Sequence, residues 1–204
     1  MTDRAHKAAV RELMASIRSQ FPGLRDALAA DARVTARCRG ERWEFHSPLD
    51  TAGQILRLAW VSDAFCAQAL YRLKASLQKR GVPILPRIAH KLAMATAQVS
   101  IGDPVIVHPG IYIVHGQVVL DGIVEVASDT VISPWVTVGL RAGNVQGPTI
   151  GPGVSIGTGA KLIGPIRVGA GAQIGANAVV VDDVAAGTTM VGAPAHPVGQ
   201  PPPS

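Results

Sequence analysis

Apolar residues recur along this chain with two different periods, and the change falls near residue 98. Before it, Val10, Leu13, Met14, Ile17 and Phe21 follow the i, i+3, i+4, i+7 spacing of an amphipathic helix, predicted from about residue 4 to 19. Phe21-Pro22-Gly23 interrupts it, and a second helical pattern runs from Leu24 to Cys38. The stretch Gly40–Pro48 reads as a loop. Asp50 is placed to cap a third, long helix whose buried stripe includes Leu58, Phe65, Leu70, Leu73 and Leu77. Gly81, with Pro83 just beyond, supplies the stop chemistry of a helix C-terminus. A further helix is predicted from about Ile84 to Ala97, with Pro86 in its first turn.

After residue 98 the helical period gives way to a repeat of six. Ile150, Ile156, Leu162, Val168, Ile174 and Val180 occupy the first positions of successive hexads. Val154, Ala160, Ile166, Ala172, Ala178 and Val184 occupy the fifth. The phase extends back through Val138, Ile132, Val126 and Leu120, and then through Ile113, Val107 and Ile101, with one extra residue between Ile113 and Leu120. Each hexad reads as a short strand plus a turn, three of them closing a triangular coil, and coils stack because one alone cannot bury its apolar face. The period fails at Leu140–Thr149, where Asn144 takes an inward position. That segment is expected to leave the coil as an external loop, the kind of place where function concentrates.

The predicted fold class is therefore α+β: a helical region over 1–98, a parallel β-helix over 99–193 and a Pro-rich tail over 194–204. With 4% aromatic residues among 48% hydrophobic ones, the core must be built from Val, Ile, Leu and Ala. No run of 18 uncharged apolar residues suggests a membrane span, and the charged first 20 residues lack an export signal. Cys38 and Cys66 fit ordinary thiols, so a cytoplasmic setting is expected. The net charge of +5 is uneven: residues 1–98 hold 16 Lys/Arg against 8 Asp/Glu, and residues 99–204 hold 3 against 6. No aromatic platform or nucleic-acid motif accompanies the basic half, so its charges read as solvated helix faces rather than a nucleic-acid surface.

The hexads, the helical preface and the closing Val191-Gly-Ala-Pro-Ala195 resemble the left-handed parallel β-helix acyltransferases. Within them the chain is similar to serine O-acetyltransferase over about residues 50 to 199. The stretches that carry the likeness are Tyr71-Arg72 through Gly81, Gly110–His115, Val136–Gly139 and Ile156–Gly164. The left hand of the helix is implied by this resemblance, since the period alone does not set it.

The resemblance also implies acyl transfer from acetyl-CoA to a hydroxyl acceptor, with no metal, in a homotrimer whose helical preface can join two trimers. It places the catalytic histidine at His115. Acyl transfer needs a group that takes the acceptor's proton as it attacks the thioester, and an imidazole suits that role. Gly139, Thr158 and Ala176 match positions along which the coenzyme's pantetheine arm runs. Lys161, Arg167 and Arg141, the only cations after residue 98, are candidates for its phosphates, Lys161 foremost. His108, one hexad before His115, and Trp135, one coil beyond, are candidates to shape an acceptor site.

Four positions depart from the serine enzymes. Ser100 stands where they have the aspartate that orients the histidine, and Val114 where they have a carboxylate beside it. Gln146 and Gly147 replace an Arg-His pair on a loop that is also shorter. An amino-acid zwitterion needs a carboxylate for its ammonium and a cation for its carboxylate, so an acceptor other than serine is expected. The alternatives are a sugar or secondary-metabolite O- or N-acetyltransferase and a non-catalytic scaffold. A zinc-dependent carbonic anhydrase of this shape would need three histidines where the prism offers His108 and His115. The ending Gln200-Pro-Pro-Pro-Ser204 lacks the C-terminal Ile used to bind the sulfhydrylase of cysteine synthesis, so no such complex is expected.

Overall fold

The computed structural model describes residues 3–198, and the expectation placed on the chain's last residues lies outside them. Five helices come first: α1 (Asp3–Ser19), α2 (Leu24–Cys38), α3 (Pro48–Val61), α4 (Asp63–Lys79) and α5 (Leu85–Ala97). Short strands then wind into a three-sided left-handed β-helix of about five coils, each strand up to β13 pairing in parallel with the strand three before or after it. The first face holds β1 (Val99–Ile101), β4 (Val118–Leu120), β7 (Thr137–Gly139), β10 (Lys161–Ile163) and β13 (Val179–Val180). The second holds β2 (Ile106–Val107), β5 (Ile123–Val126), β8 (Gln146–Ile150) and β11 (Arg167–Val168). The third holds β3 (Tyr112–Ile113), β6 (Val131–Ile132), β9 (Ser155–Ile156), β12 (Gln173–Ile174), β14 (Thr189–Val191) and β15 (His196–Pro197), the last running antiparallel to β14.

Every first-position aliphatic of the hexads is buried, and so is every fifth-position residue from Val154 to Val184. The row Ile113, Ile132, Ile156, Ile174 and Met190 shows why: strand pairing stacks equivalent side chains directly over one another inside the prism. The excursion from the third coil is shorter than the pattern suggested. The loop spans Leu140–Val145, and β8 resumes at Gln146 with Gly147 and Pro148 buried. Asn144 does not face inward; its side chain accepts the Gln146 amide at 2.8 Å within the loop.

The helical half corrects the sequence reading in three places. The long third helix is two, broken at Ser62, whose extended backbone (φ −137°, ψ 106°) ends α3 and whose hydroxyl caps α4 by accepting the Phe65 amide. Ser47, not Asp50, is the N-cap of α3, accepting the Asp50 amide at 3.1 Å. Leu73 lies outside the buried stripe, while Tyr71, Arg72, Lys74 and Gln78 are buried beside Ala67 and Ala75.

That inversion has a structural reason. The first coil has no coil before it, so its backbone groups would be left as an open edge. Helix α4 lies against this edge and satisfies it with polar side chains. Gln68 donates to the Ile111 carbonyl (3.2 Å), Tyr71 to Val105 (2.9 Å), Arg72 to Val107 and His108 (2.5 and 2.8 Å), and Lys74 to Ile101 (2.6 Å). Asp31 of α2 grips Arg72 through both carboxylate oxygens and accepts the Gly110 amide at 2.8 Å. A buried charge without partners is costly, and here each finds several. No helix among the described residues is long and apolar enough to cross a membrane.

Candidate functional site

The corner where the third face turns into the first collects most of the residues singled out from the sequence. Going up the stack, it is built from Val114–Gln117, Ser133–Trp135, Gly157–Gly159 and Gly175–Asn177. The last residue of each turn takes a left-handed backbone: Gln117 (φ 50°), Trp135 (66°), Gly159 (75°) and Asn177 (57°). Backbone bonds such as Trp135 N–H to the Gln117 carbonyl (2.9 Å) and Asn177 N–H to Thr158 (2.8 Å) tie neighbouring turns together.

The first turn carries four residues where the others carry three. The additional one sits beside His115: Gly116, at φ 126°. This is the extra residue that interrupts the hexad phase. Its backbone lies against the end of α5, where a Cβ on Gly116 would come within 2.2 Å of the Ala97 carbonyl oxygen. The Gln117 amide donates to that same oxygen at 2.9 Å. His115 is thus displayed on an enlarged turn, exposed, and among the described residues its ring makes no hydrogen bond. Neither Ser100 nor a backbone carbonyl bonds to the ring within the protomer.

Trp135 lies on the next turn of the same corner, 60% exposed, its left-handed backbone unusual for so bulky a residue. Lys161 folds across from the first face, and its ammonium donates to the Trp135 carbonyl at 2.5 Å. Thr158 and Ala176 follow on the third and fourth turns, both exposed and small. Three coil spacings of about 4.8 Å separate His115 from Ala176, so this edge offers a track of roughly 14 Å. Ser100 faces outward on β1 in a row with Val119, Thr137 and Lys161.

Two predicted residues lie elsewhere. His108 is on the corner between the second and third faces, its Nε2 2.7 Å from a Glu125 carboxylate oxygen. Gly139 is buried at the far end of the first face, and its carbonyl accepts from the Gly164 amide. Arg141 leans toward the Val181 carbonyl at 3.4 Å, and Arg167 projects from the second face. Of the three cations after residue 98, Lys161 alone bonds to the His115 edge.

The positions that depart from the serine enzymes are as consequential as those that match. Gly147 is enclosed so closely that a Cβ there would meet the Val124 methyl at 2.5 Å. No side chain of any charge fits at that point without moving the core. Gln146 is exposed at the start of β8, and Val114 is half-buried beside His115. Sequence reading had not assigned a role to Gly116 or to the buried polar face of α4. The first was signalled by the phase slip, the second by charged residues falling inside a helical stripe.

The bacterial transferase hexapeptide family (six repeats) matches residues 147–182. No curated protein matches the chain. Among solved structures, soybean serine acetyltransferase, free and with serine bound, is 32% identical over 88% of this chain and 71% of its own, at TM-scores of 0.71 and 0.72. The Vibrio cholerae enzyme is 29% identical over 96% of this chain and 73% of its own (TM-score 0.73). A serine acetyltransferase in complex with CoA is 27% identical over 84% and 68% (TM-score 0.68). With its hexad repeats matched and its likeness to the soybean enzyme running over most of both chains, the chain belongs to the hexapeptide-repeat acyltransferases and, within them, to the serine acetyltransferase family.

Proposed function

We propose that this protein transfers an acetyl group from acetyl-CoA to the hydroxyl of a small acceptor other than serine, with His115 as general base. The observation that carries the reading is the exposed imidazole of His115 on its enlarged turn, at the foot of an edge lined by Trp135, Thr158 and Ala176. The acceptor's oxygen attacks the thioester carbonyl carbon while His115 takes its proton. The C–S bond then breaks, and the imidazolium returns the proton to the departing sulfur. No enzyme-bound acyl group is needed. Thr158 and Ala176 leave the edge open for the pantetheine arm, and Lys161 would meet a phosphate as a point charge. The CoA-bound relative supports a coenzyme in this role. An open edge in the protomer suits a homotrimer, the neighbouring coil closing each site.

The acceptor assignment rests on the charged groups missing at the positions that match those of the serine enzymes. Serine would need partners for its ammonium and carboxylate. Here Val114 is apolar, Gln146 is neutral and Gly147 has no room for a side chain. The exposed indole of Trp135 instead offers an apolar wall, which favours a neutral hydroxyl compound such as a sugar or secondary metabolite. The test is thiol release from acetyl-CoA against serine, homoserine, sugars and amino-alcohols. Turnover of a neutral alcohol, abolished in His115→Ala, is the expected result; serine as the best acceptor would overturn the assignment.

A further inference from the structure

The basic excess of the helical half is not spread evenly. Several of its cations are already occupied. Arg37, Arg39, Arg42, Arg57 and Arg72 each pair with a carboxylate, and Lys79 donates to the Ser19 and Phe21 carbonyls. Arg18, Arg87 and Lys91 form no ion pair or side-chain hydrogen bond among the described residues, and they converge on one place.

That place is a cleft where the last turn of α1, the side of α4 and the start of α5 meet the corner after β1. It consists of two adjoining cavities of about 320 and 210 Å³ that share Gln78, Pro86, Arg87 and Asp103. His90 and Lys91 line the larger, and Arg18 the smaller. The one carboxylate lining it, Asp103, pairs with the Lys74 ammonium at 2.8 Å and also lies in the field of Arg18, leaving the cleft with a net positive charge. The Nε of Arg18 is buried without a hydrogen-bond partner, a cost a protein rarely bears for nothing. Burial, with the nearby Lys74 ammonium as the lesser cause, lowers the pKa of His90, opposed by Asp103.

Three cations with no internal acceptor, one a guanidinium with a buried unpaired N–H, describe a receptor for a small oxyanion. We propose that this cleft binds a phosphate group, held by Arg18, Arg87 and Lys91, at a site separate from the His115 edge. Arg87 and Lys91 stand one helical turn apart and reach from the same side, while Arg18 approaches from α1. Guanidinium forks match tetrahedral oxyanions in both geometry and charge. The volume admits more than inorganic phosphate alone, so a phosphate ester or a diphosphate fits. Its position matters as well. Helix α5 runs from this cleft directly to Ala97, against which the His115 turn is built, so an occupant would brace the helix on which that turn rests.

The phosphate could belong to a free metabolite or to the coenzyme, and titration distinguishes them. Calorimetry on the full chain, at constant ionic strength set with chloride, would use pyrophosphate and adenosine 3′,5′-bisphosphate, the phosphate-bearing end of coenzyme A, as probes. Pyrophosphate is expected to bind once per protomer and to weaken at least tenfold in Arg87→Gln/Lys91→Gln. The pair Arg25→Gln/Arg33→Gln removes the same charge elsewhere in the helical half and is expected to leave binding unchanged. If adenosine bisphosphate binds more tightly than pyrophosphate and is lost in the same variant, the coenzyme is the source; weaker binding points to a free metabolite. Equal losses in both double variants would reduce the effect to diffuse basic charge and overturn the site, as would wild-type heat no larger than chloride produces. Should the double variant fold poorly, the single exposed substitution Lys91→Gln with the His90 ring followed by NMR replaces it; a ring that pyrophosphate does not shift overturns the proposal. None of these readings depends on acetyl transfer.

Discussion

Gly116 and Ala97 are packed so closely that the glycine's missing side chain is a structural requirement: a Cβ would stand 2.2 Å from the Ala97 oxygen. The contact joins the end of α5 to the turn that displays His115, and Gly116 is also held at φ 126°. Gly116→Ala is therefore expected to cost about 2–4 kcal/mol through strain and overpacking. Displacing the neighbouring imidazole by even 1 Å would lower kcat/KM by on the order of 10²-fold. Thermal melting and thiol release, measured together, check both halves; a variant that melts and turns over like wild type would contradict the contact.

Removing the imidazole should separate chemistry from binding. His115→Ala is expected to reduce acetyl transfer by roughly 10²- to 10⁴-fold, the contribution of a positioned base. Coenzyme A binding, read by calorimetry, should stay within a few fold of wild type. His108→Ala, on another corner and paired with Glu125, should leave the rate nearly unchanged.

The seal between α4 and the first coil depends on a buried ion pair. Asp31→Ala strands Arg72 and the Gly110 amide, and is expected to destabilise by about 3–5 kcal/mol in urea titration. Arg72→Met should cost a similar amount because it strands Asp31 and the Val107 and His108 carbonyls. Since both substitutions break one network, the double variant should lose clearly less than the two losses added together.

Tyr71 makes stability sensitive to alkali. Burial pushes its phenol up to about 12, against an ordinary value of 10, while its hydroxyl donates to the Val105 carbonyl. A group whose pKa is raised by folding contributes fully below its unfolded pKa and loses that contribution as pH rises. The unfolding free energy should therefore fall by about 2–3 kcal/mol between pH 10 and 12. Tyr71→Phe should flatten this limb while costing about 1 kcal/mol at neutral pH. Urea midpoints at pH 8 and 11.5 read both effects.

Gly147 tests the departure from the serine enzymes. Gly147→His drives a side chain into Val124 and should destabilise by about 1–3 kcal/mol without creating serine turnover. In a Val124→Ala background the same histidine should be tolerated better, seen as a favourable coupling in a double-mutant cycle.

The hexad period was enough to specify the prism, because strand pairing stacks equivalent positions and every inward place must be apolar. Helices α1, α2 and α5 were readable in their extent from helical spacing and breaker residues, although Val10, Leu13, Leu85, Ile88, Leu92 and Met94 are exposed rather than buried. Helix α4 was not: its packed face is made of Arg72, Lys74, Tyr71 and Gln78, whose partners are carbonyls of the first coil. A polar stripe reads as solvated until the edge it covers is known. The break at Ser62 was written in a Ser-Asp capping pair, but the apolar stripe running on through Phe65 masked it.

The candidate site divides in the same way. His115, Trp135, Thr158 and Ala176 fall on one corner because each follows by two or three residues an inward aliphatic of the third face (Ile113, Ile132, Ile156, Ile174), and strand pairing stacks those aliphatics in a column that the hexad phase already marks. That His108 lies on a different corner, that Gly147 has no room for a side chain, and that Arg18, Arg87 and Lys91 meet in one cleft were decided by tertiary structure. Those relations join segments tens of residues apart, and a local pattern carries no information about which distant atoms will fill the space around it.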